Sequence, residues 1–68
     1  MIFELPENLR KTVAALLKLG EGTASDVARV TGRRRATESY YLNLLFSLNY
    51  VGKKKIGKRT YYFFNKKI

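Results

Sequence analysis

Residues 23–48 read TASDVARVTGRRRATESYYLNLLFSL, and this stretch decides the fold. Thr23 followed three residues on by Asp26 is a helix-starting pair. The threonine oxygen can accept from an orphaned N–H of the first turn, while the aspartate reaches back as a shorter substitute for the usual glutamate of a capping box. Ala24, Val27, Ala28 and Val30 then make a short helix of small residues, stopped by Gly32, the residue type best able to turn left-handed past a helix end. After Arg33-Arg34-Arg35, the run from Ala36 to Leu48 contains no glycine or proline, and Leu42, Leu45 and Leu48 recur at helical spacing. Those three leucines are expected to form the inward stripe of a second, longer helix.

Outward from that pair, Pro6 suits a first helical turn, where its missing N–H costs nothing, and Glu7 suits the positive end of the helix dipole. Leu9, Val13, Leu16 and Leu17 follow at i, i+4, i+7 and i+8, so a helix with one buried face is predicted over about Pro6 to Leu19, ended by Gly20. Ile2, Phe3 and Leu5 are too apolar for a free tail and are expected to pack as a short strand or arm. On the other side the period changes. Tyr50 and Val51 lead into lysines, Gly57-Lys58 offers a turn, and Thr60-Tyr61-Tyr62-Phe63-Phe64 is the β-branched and aromatic run of a strand. A β-hairpin is therefore predicted, pairing about Tyr50 to Ile56 with Arg59 to Asn65. Tyr62 and Phe64 share one of its faces, Tyr61 and Phe63 the other. Lys66-Lys67-Ile68 is expected to fray. The whole reads as one α+β domain over residues 1–68, mainly α: three helices and a C-terminal hairpin, the last two helices spaced as a helix-turn-helix.

Composition narrows the function. A chain of 68 residues buries only about 60% of the surface its unfolded form exposes, so its stability margin is thin. It has no cysteine and no histidine, which removes disulfides, thiolate metal sites and the commonest acid–base group. The five acidic residues are scattered, with no adjacent pair and no glycine-rich phosphate loop, so neither catalysis nor a cofactor nor a metal is expected. No apolar run approaches the roughly 18 residues that suggest a membrane span. Charge is the positive signal. Residues 1–32 carry Arg10, Lys11, Lys18 and Arg29 against Glu4, Glu7, Glu21 and Asp26, and so balance. Residues 33–68 carry the other ten basic residues against Glu38 alone, and hold the entire +9. Lysines scattered for solubility do not predict that split; a surface for a polyanion does.

The order and spacing of these pieces resemble the winged helix-turn-helix superfamily of prokaryotic transcription regulators, the broad group that includes ArsR-like and MarR-like proteins. Thr23-Ala24-Ser25-Asp26-Val27-Ala28 is similar to the family's second helix and Thr31-Gly32 to its turn. Arg35-Ala36-Thr37-Glu38-Ser39-Tyr40-Tyr41-Leu42 resembles the start of its recognition helix, and Thr60-Tyr61-Tyr62-Phe63-Phe64 the return strand of its wing. Three positions depart from the pattern. Arg33 and Glu38 stand where the family commonly has an apolar residue beneath the turn, and as an exposed ion pair they are expected to contribute only about 0–1 kcal/mol. Asn49 stands where a glycine often precedes the wing.

The resemblance implies sequence-specific binding of double-stranded DNA by a small transcriptional regulator, and the physics of the residues agrees. A helix fits the major groove, and its N-terminal end offers free N–H groups to phosphate. Arg33, Arg34, Arg35, Thr37, Ser39 and Tyr40 are the expected contacts of the recognition helix, with Tyr40 equally suited to internal packing. Lys53, Lys54, Lys55, Lys58 and Arg59 are the expected contacts of the wing, on backbone or minor groove; edge-strand lysines also deter sheet aggregation. The aromatics Tyr61 to Phe64 serve the core before they serve as a stacking platform for single strands. A protein-interaction or RNA-binding winged-helix module is the alternative. Tyr40, Tyr41, Leu44 and Phe46 extend apolar character around the long helix beyond its inward stripe, so a homodimer is expected, on a palindromic site. No membrane partner and no small-molecule substrate are indicated, and a cytoplasmic, nucleoid-associated location follows from the DNA reading.

Overall fold

The computed structural model describes residues 5–65. Three helices, α1 (Glu7–Leu19), α2 (Ala24–Thr31) and α3 (Arg35–Ser47), are followed by a hairpin of β2 (Val51–Ile56) and β3 (Arg59–Phe64). A two-residue strand, β1 (Glu21–Gly22), lies between α1 and α2 and adds to β3, giving an antiparallel sheet in the order β1-β3-β2. This third strand is not legible in the sequence, because two residues carry no alternation. The expected strand or arm at Ile2 and Phe3, and the fraying end at Lys66-Lys67-Ile68, lie outside the described residues.

Local chemistry sets the helix boundaries. Pro6 is the cap ahead of α1, and its carbonyl accepts from the N–H groups of Leu9 and Arg10 at 3.0 and 2.9 Å. Gly20, at φ +85°, closes the other end by donating to the Leu16 carbonyl. At α2 the capping box forms with both halves present: Thr23 Oγ1 accepts from the Asp26 N–H at 3.2 Å, and Asp26 Oδ2 accepts from the Thr23 N–H at 3.0 Å. The helix stops at Gly32, which is left-handed at φ +79°. α3 ends in Leu48 and Asn49; Asn49 takes the left-handed conformation at φ +67°, so it does what glycine does in the family pattern. The hairpin turns through Gly57-Lys58 between the paired Ile56 and Arg59, with Gly57 at φ +62°.

Leu9, Val13 and Leu16 of α1, Val27 of α2, Leu42 and Leu45 of α3, and Val51 and Tyr62 of the sheet form one core with Leu5. Two expected core positions are not in it. Leu17 is 47% exposed and Leu48 is 49% exposed, since each stands at the edge of its helical stripe, where only a neighbouring element decides burial. Along the hairpin the alternation holds: Tyr62 is buried and Phe64 packs on the core, while Phe63 faces the other way and lays its ring over Gly52. A Cβ at Gly52 would sit 2.5 Å from that ring, so the glycine is what lets Phe63 lie flat on its neighbour strand.

Candidate nucleic-acid interface

The basic run ahead of α3 divides in two. Arg34, the cap residue, and Arg35, the first helical residue, are exposed. Arg33 turns inward. Its guanidinium donates to Glu38 Oε2 at 3.3 Å, to Thr12 Oγ1 at 3.0 Å and to the Asn8 carbonyl at 3.1 Å, and it lies 4.9 Å from the centre of the Tyr41 ring. Glu38 has no exposed surface; it also accepts from Thr12 Oγ1 at 2.7 Å and from Thr31 Oγ1 at 2.5 Å. The expected exposed pair of Arg33 and Glu38 thus has a fully buried carboxylate beneath a half-buried guanidinium, linking α1, the end of α2 and the start of α3. Its energetics change accordingly: breaking a buried pair from one side costs about 3–5 kcal/mol, whereas an exposed pair is nearly free to lose. Among the described residues no buried side-chain nitrogen or oxygen lacks a partner.

The rest of the α3 face looks outward. Thr37 and Ser39 are half-buried, and Tyr40 is 65% exposed, its ring tilted against that of Tyr41 with centroids 5.6 Å apart. Internal packing of Tyr40 is excluded by that exposure. One turn after Ser39 stands Asn43, which is not among the residues expected from the sequence. Its side-chain amide donates to the Ser39 carbonyl at 2.9 Å, and Ser47 donates to the Asn43 carbonyl at 3.1 Å. Ser39, Asn43 and Ser47 recur every four residues, a polar line in a helix whose other residues from Tyr40 onward are aromatic or aliphatic.

The wing is likewise divided by strand alternation. Lys53 shares the inner face with Val51 and Tyr62, lies over the Phe46 ring at 4.5 Å and donates to Asn43 Oδ1 at 3.4 Å, so it touches α3. Lys54, on the outer face, reaches across β3 to Glu21 at 2.9 Å. Lys55, Lys58 and Arg59 are exposed toward the tip. An open cleft of about 390 Å³ separates the tip from the helices, and it brings together Arg35 and Ser39 of α3, Lys58 and Arg59 of the hairpin, and Ser25 and Arg29 of α2. The contribution of Ser25 and Arg29 is not legible in the sequence, because it depends on where α2 docks. Asp26 stands at the wall of this cleft with its carboxyl held below the ordinary carboxylate range. The Thr23 N–H is the main cause, the Thr23 hydroxyl and the positive charges of Arg29 and Arg59 assist, and partial burial opposes. No group of three or more His, Cys, Asp or Glu able to hold a metal is assembled among the described residues. No helix among them is long and apolar enough to cross a membrane.

Three helices, a helix-turn-helix at α2 and α3, and a basic hairpin beside α3 define a winged helix-turn-helix protein. The chain belongs to the same family as an uncharacterized protein of Archaeoglobus fulgidus, to which it is 60% identical over 65 residues, 96% of this chain and 88% of that protein. No model of a protein family matches it. Among solved structures, the chain is similar to Bordetella bronchiseptica BpsR, whose DNA binding is regulated by 6-hydroxynicotinic acid, at a TM-score of 0.85 and 16% identity over 94% of this chain and 47% of that one. It is also similar to the homodimeric winged helix-turn-helix DNA-binding domain of a possible ArsR-family regulator from Mycobacterium bovis, at a TM-score of 0.69 and 28% identity over 79% of this chain and 52% of that one. A possible transcriptional regulator for arsenical resistance is similar at a TM-score of 0.75 and 28% identity, over 90% of this chain and 64% of that one. The chain therefore spans about half to two thirds of the length of these solved proteins.

Proposed function

We propose that this protein is a small transcriptional regulator that binds double-stranded DNA, without chemistry on it and as a homodimer. α3 enters the major groove, where Arg34, Arg35 and Tyr40 face base edges with Thr37, Ser39 and Asn43 beside them. Ser25, near the free N–H groups that begin α2, meets phosphate, and the wing lies along the adjacent backbone or minor groove. Of the wing residues, Lys53, Lys55, Lys58 and Arg59 are the contacts, and Lys54 is a lesser one because Glu21 already balances it. Arg33 belongs to the interior. The observation that carries this reading is the cleft in which α2, α3 and the hairpin each contribute a basic or hydroxyl side chain, in a chain whose whole +9 lies from residue 33 onward. Such a protein works on the chromosome, in the company of nucleoid DNA.

Fluorescence anisotropy with labelled duplexes in a salt series tests it. The logarithm of the binding constant is expected to fall linearly with the logarithm of salt, by about 0.9 for each phosphate neutralised, with one duplex of a random pool retained at the highest salt. Tighter binding of single-stranded RNA at every salt would move the assignment to RNA, and absence of binding at low salt would end it.

A further inference from the structure

We propose that the cluster in which Arg33, Thr12 and Thr31 surround the buried Glu38 is a clasp that sets the orientation of α3 on the rest of the domain, and with it the protein's choice among DNA sequences. This rests on the DNA-binding reading above. The four residues come from four places: Thr12 from the middle of α1, Thr31 from the last residue of α2, Arg33 from the turn, and Glu38 from the first turn of α3. Glu38 has no exposed surface and receives Thr12 at 2.7 Å, Thr31 at 2.5 Å and Arg33 at 3.3 Å. Hydrogen bonds differ from leucine packing in one respect that matters here. Apolar contacts tolerate sliding, since they are non-directional, whereas a carboxylate held by three donors fixes both the rotation and the tilt of the helix that carries it. The residues involved are at the N-terminal end of α3, one to four positions from Arg34, Arg35 and Thr37, so a small rotation there displaces the side chains that face the groove. Arg33 tightens the same point from the other side by binding the Asn8 carbonyl of α1 and lying against Tyr41, whose hydroxyl accepts from Asn8 Nδ2 at 3.1 Å. The arrangement spends two charged side chains in a site where apolar ones of similar volume commonly serve stability as well or better. Its distinctive yield is direction.

The parent is compared with Arg33→Met/Glu38→Met, which removes both charges together and leaves neither buried alone, and with Thr12→Val, which keeps the ion pair and the Arg33 bond to Asn8 but removes the direct hydrogen bond from α1 to Glu38. The chain lacks cysteine, so one spin label on Lys11→Cys of α1 and one on Ser47→Cys of α3 report the α1–α3 geometry without DNA. At a temperature where circular dichroism shows all variants folded, the double variant is expected to broaden the label-to-label distance distribution. Its preference for the selected duplex over one with a substituted half-site is expected to fall about tenfold, at an unchanged salt slope. Thr12→Val is expected to move both readouts the same way by less. A purely structural cluster moves the melting temperature and neither of these. A distance distribution as narrow and as centred as the parent's, or an intact preference, would overturn the clasp. If the parent itself binds no duplex, the DNA-binding reading fails, and the spin-label distances alone still decide whether the clasp orients α3.

Discussion

Asn49 is the non-glycine residue with a positive φ among those described, at +67°, where α3 hands the chain to β2. Left-handed backbone costs an ordinary L residue about 1–2 kcal/mol and asparagine less, because its short amide bonds locally. Asn49→Val is therefore expected to destabilise by about 1–2 kcal/mol, while Asn49→Gly stays within a few tenths or stabilises; urea denaturation of the two variants checks both signs. Asp26 carries a second residue-scale expectation. Asp26→Ala removes half of the capping box and is expected to cost about 1 kcal/mol at neutral pH. The Asp26 pKa is lowered in the fold by the Thr23 N–H. Its contribution is therefore fully present above the unfolded carboxylate pKa and is lost as pH falls through the lower folded one. Denaturation at pH 7 and near pH 2.5 should show the difference between parent and variant shrinking in acid; a constant difference would mean that packing and not the charge is responsible.

At the scale of elements, the start of α3 and the wing are expected to perform separable tasks. Arg34 and Arg35 are exposed at the helix start, and an arginine that reads guanine by two hydrogen bonds is worth roughly 1–3 kcal/mol of discrimination. Replacing both by alanine should weaken the preferred duplex most and relax sequence choice. An equal loss on every duplex would assign them to phosphate instead. Lys58→Ala with Arg59→Ala should lower affinity for all duplexes alike and flatten the salt slope by about 0.9 for each lost contact. Lys54→Ala is expected to change the slope less than either, since that ammonium is 2.9 Å from Glu21 on the face away from α3. A salt titration of the three variants ranks them.

For the molecule as a whole, a +9 charge and several exposed apolar side chains pull in opposite directions. Leu44 and Leu48, one turn apart on α3, are 36% and 49% exposed, and Leu17 of α1 is 47% exposed. We expect a second copy to cover part of this surface, with salt or DNA screening the charge of the two basic chains. Sedimentation equilibrium at micromolar concentration in moderate salt should give twice the chain mass of 7.9 kDa, and Leu44→Glu/Leu48→Glu should return it to the single mass with helicity intact. A single species at 7.9 kDa that also binds DNA as one copy per site would rule the dimer out.

What the sequence determined by itself is what depends on residues within about one turn of each other. The capping box of Thr23 and Asp26, the stops at Gly20 and Gly32, the hairpin turn at Gly57-Lys58 and the two faces of Tyr61 to Phe64 all belong to that class, and so does the segregation of charge. Tertiary structure decided the rest. Three consecutive arginines look alike in a string, and what tells Arg33 apart from Arg34 and Arg35 includes Thr12, 21 positions away, and Asn8, 25 positions away. Glu38 is buried because Thr12, 26 positions earlier, meets it with a hydroxyl. Leu17 and Leu48 satisfy the helical period as well as Leu16 and Leu45 do, yet stand in solvent, because periodicity gives the direction of a side chain and not whether another element arrives to cover it. The same holds for β1, which is a strand only because β3 lies alongside it.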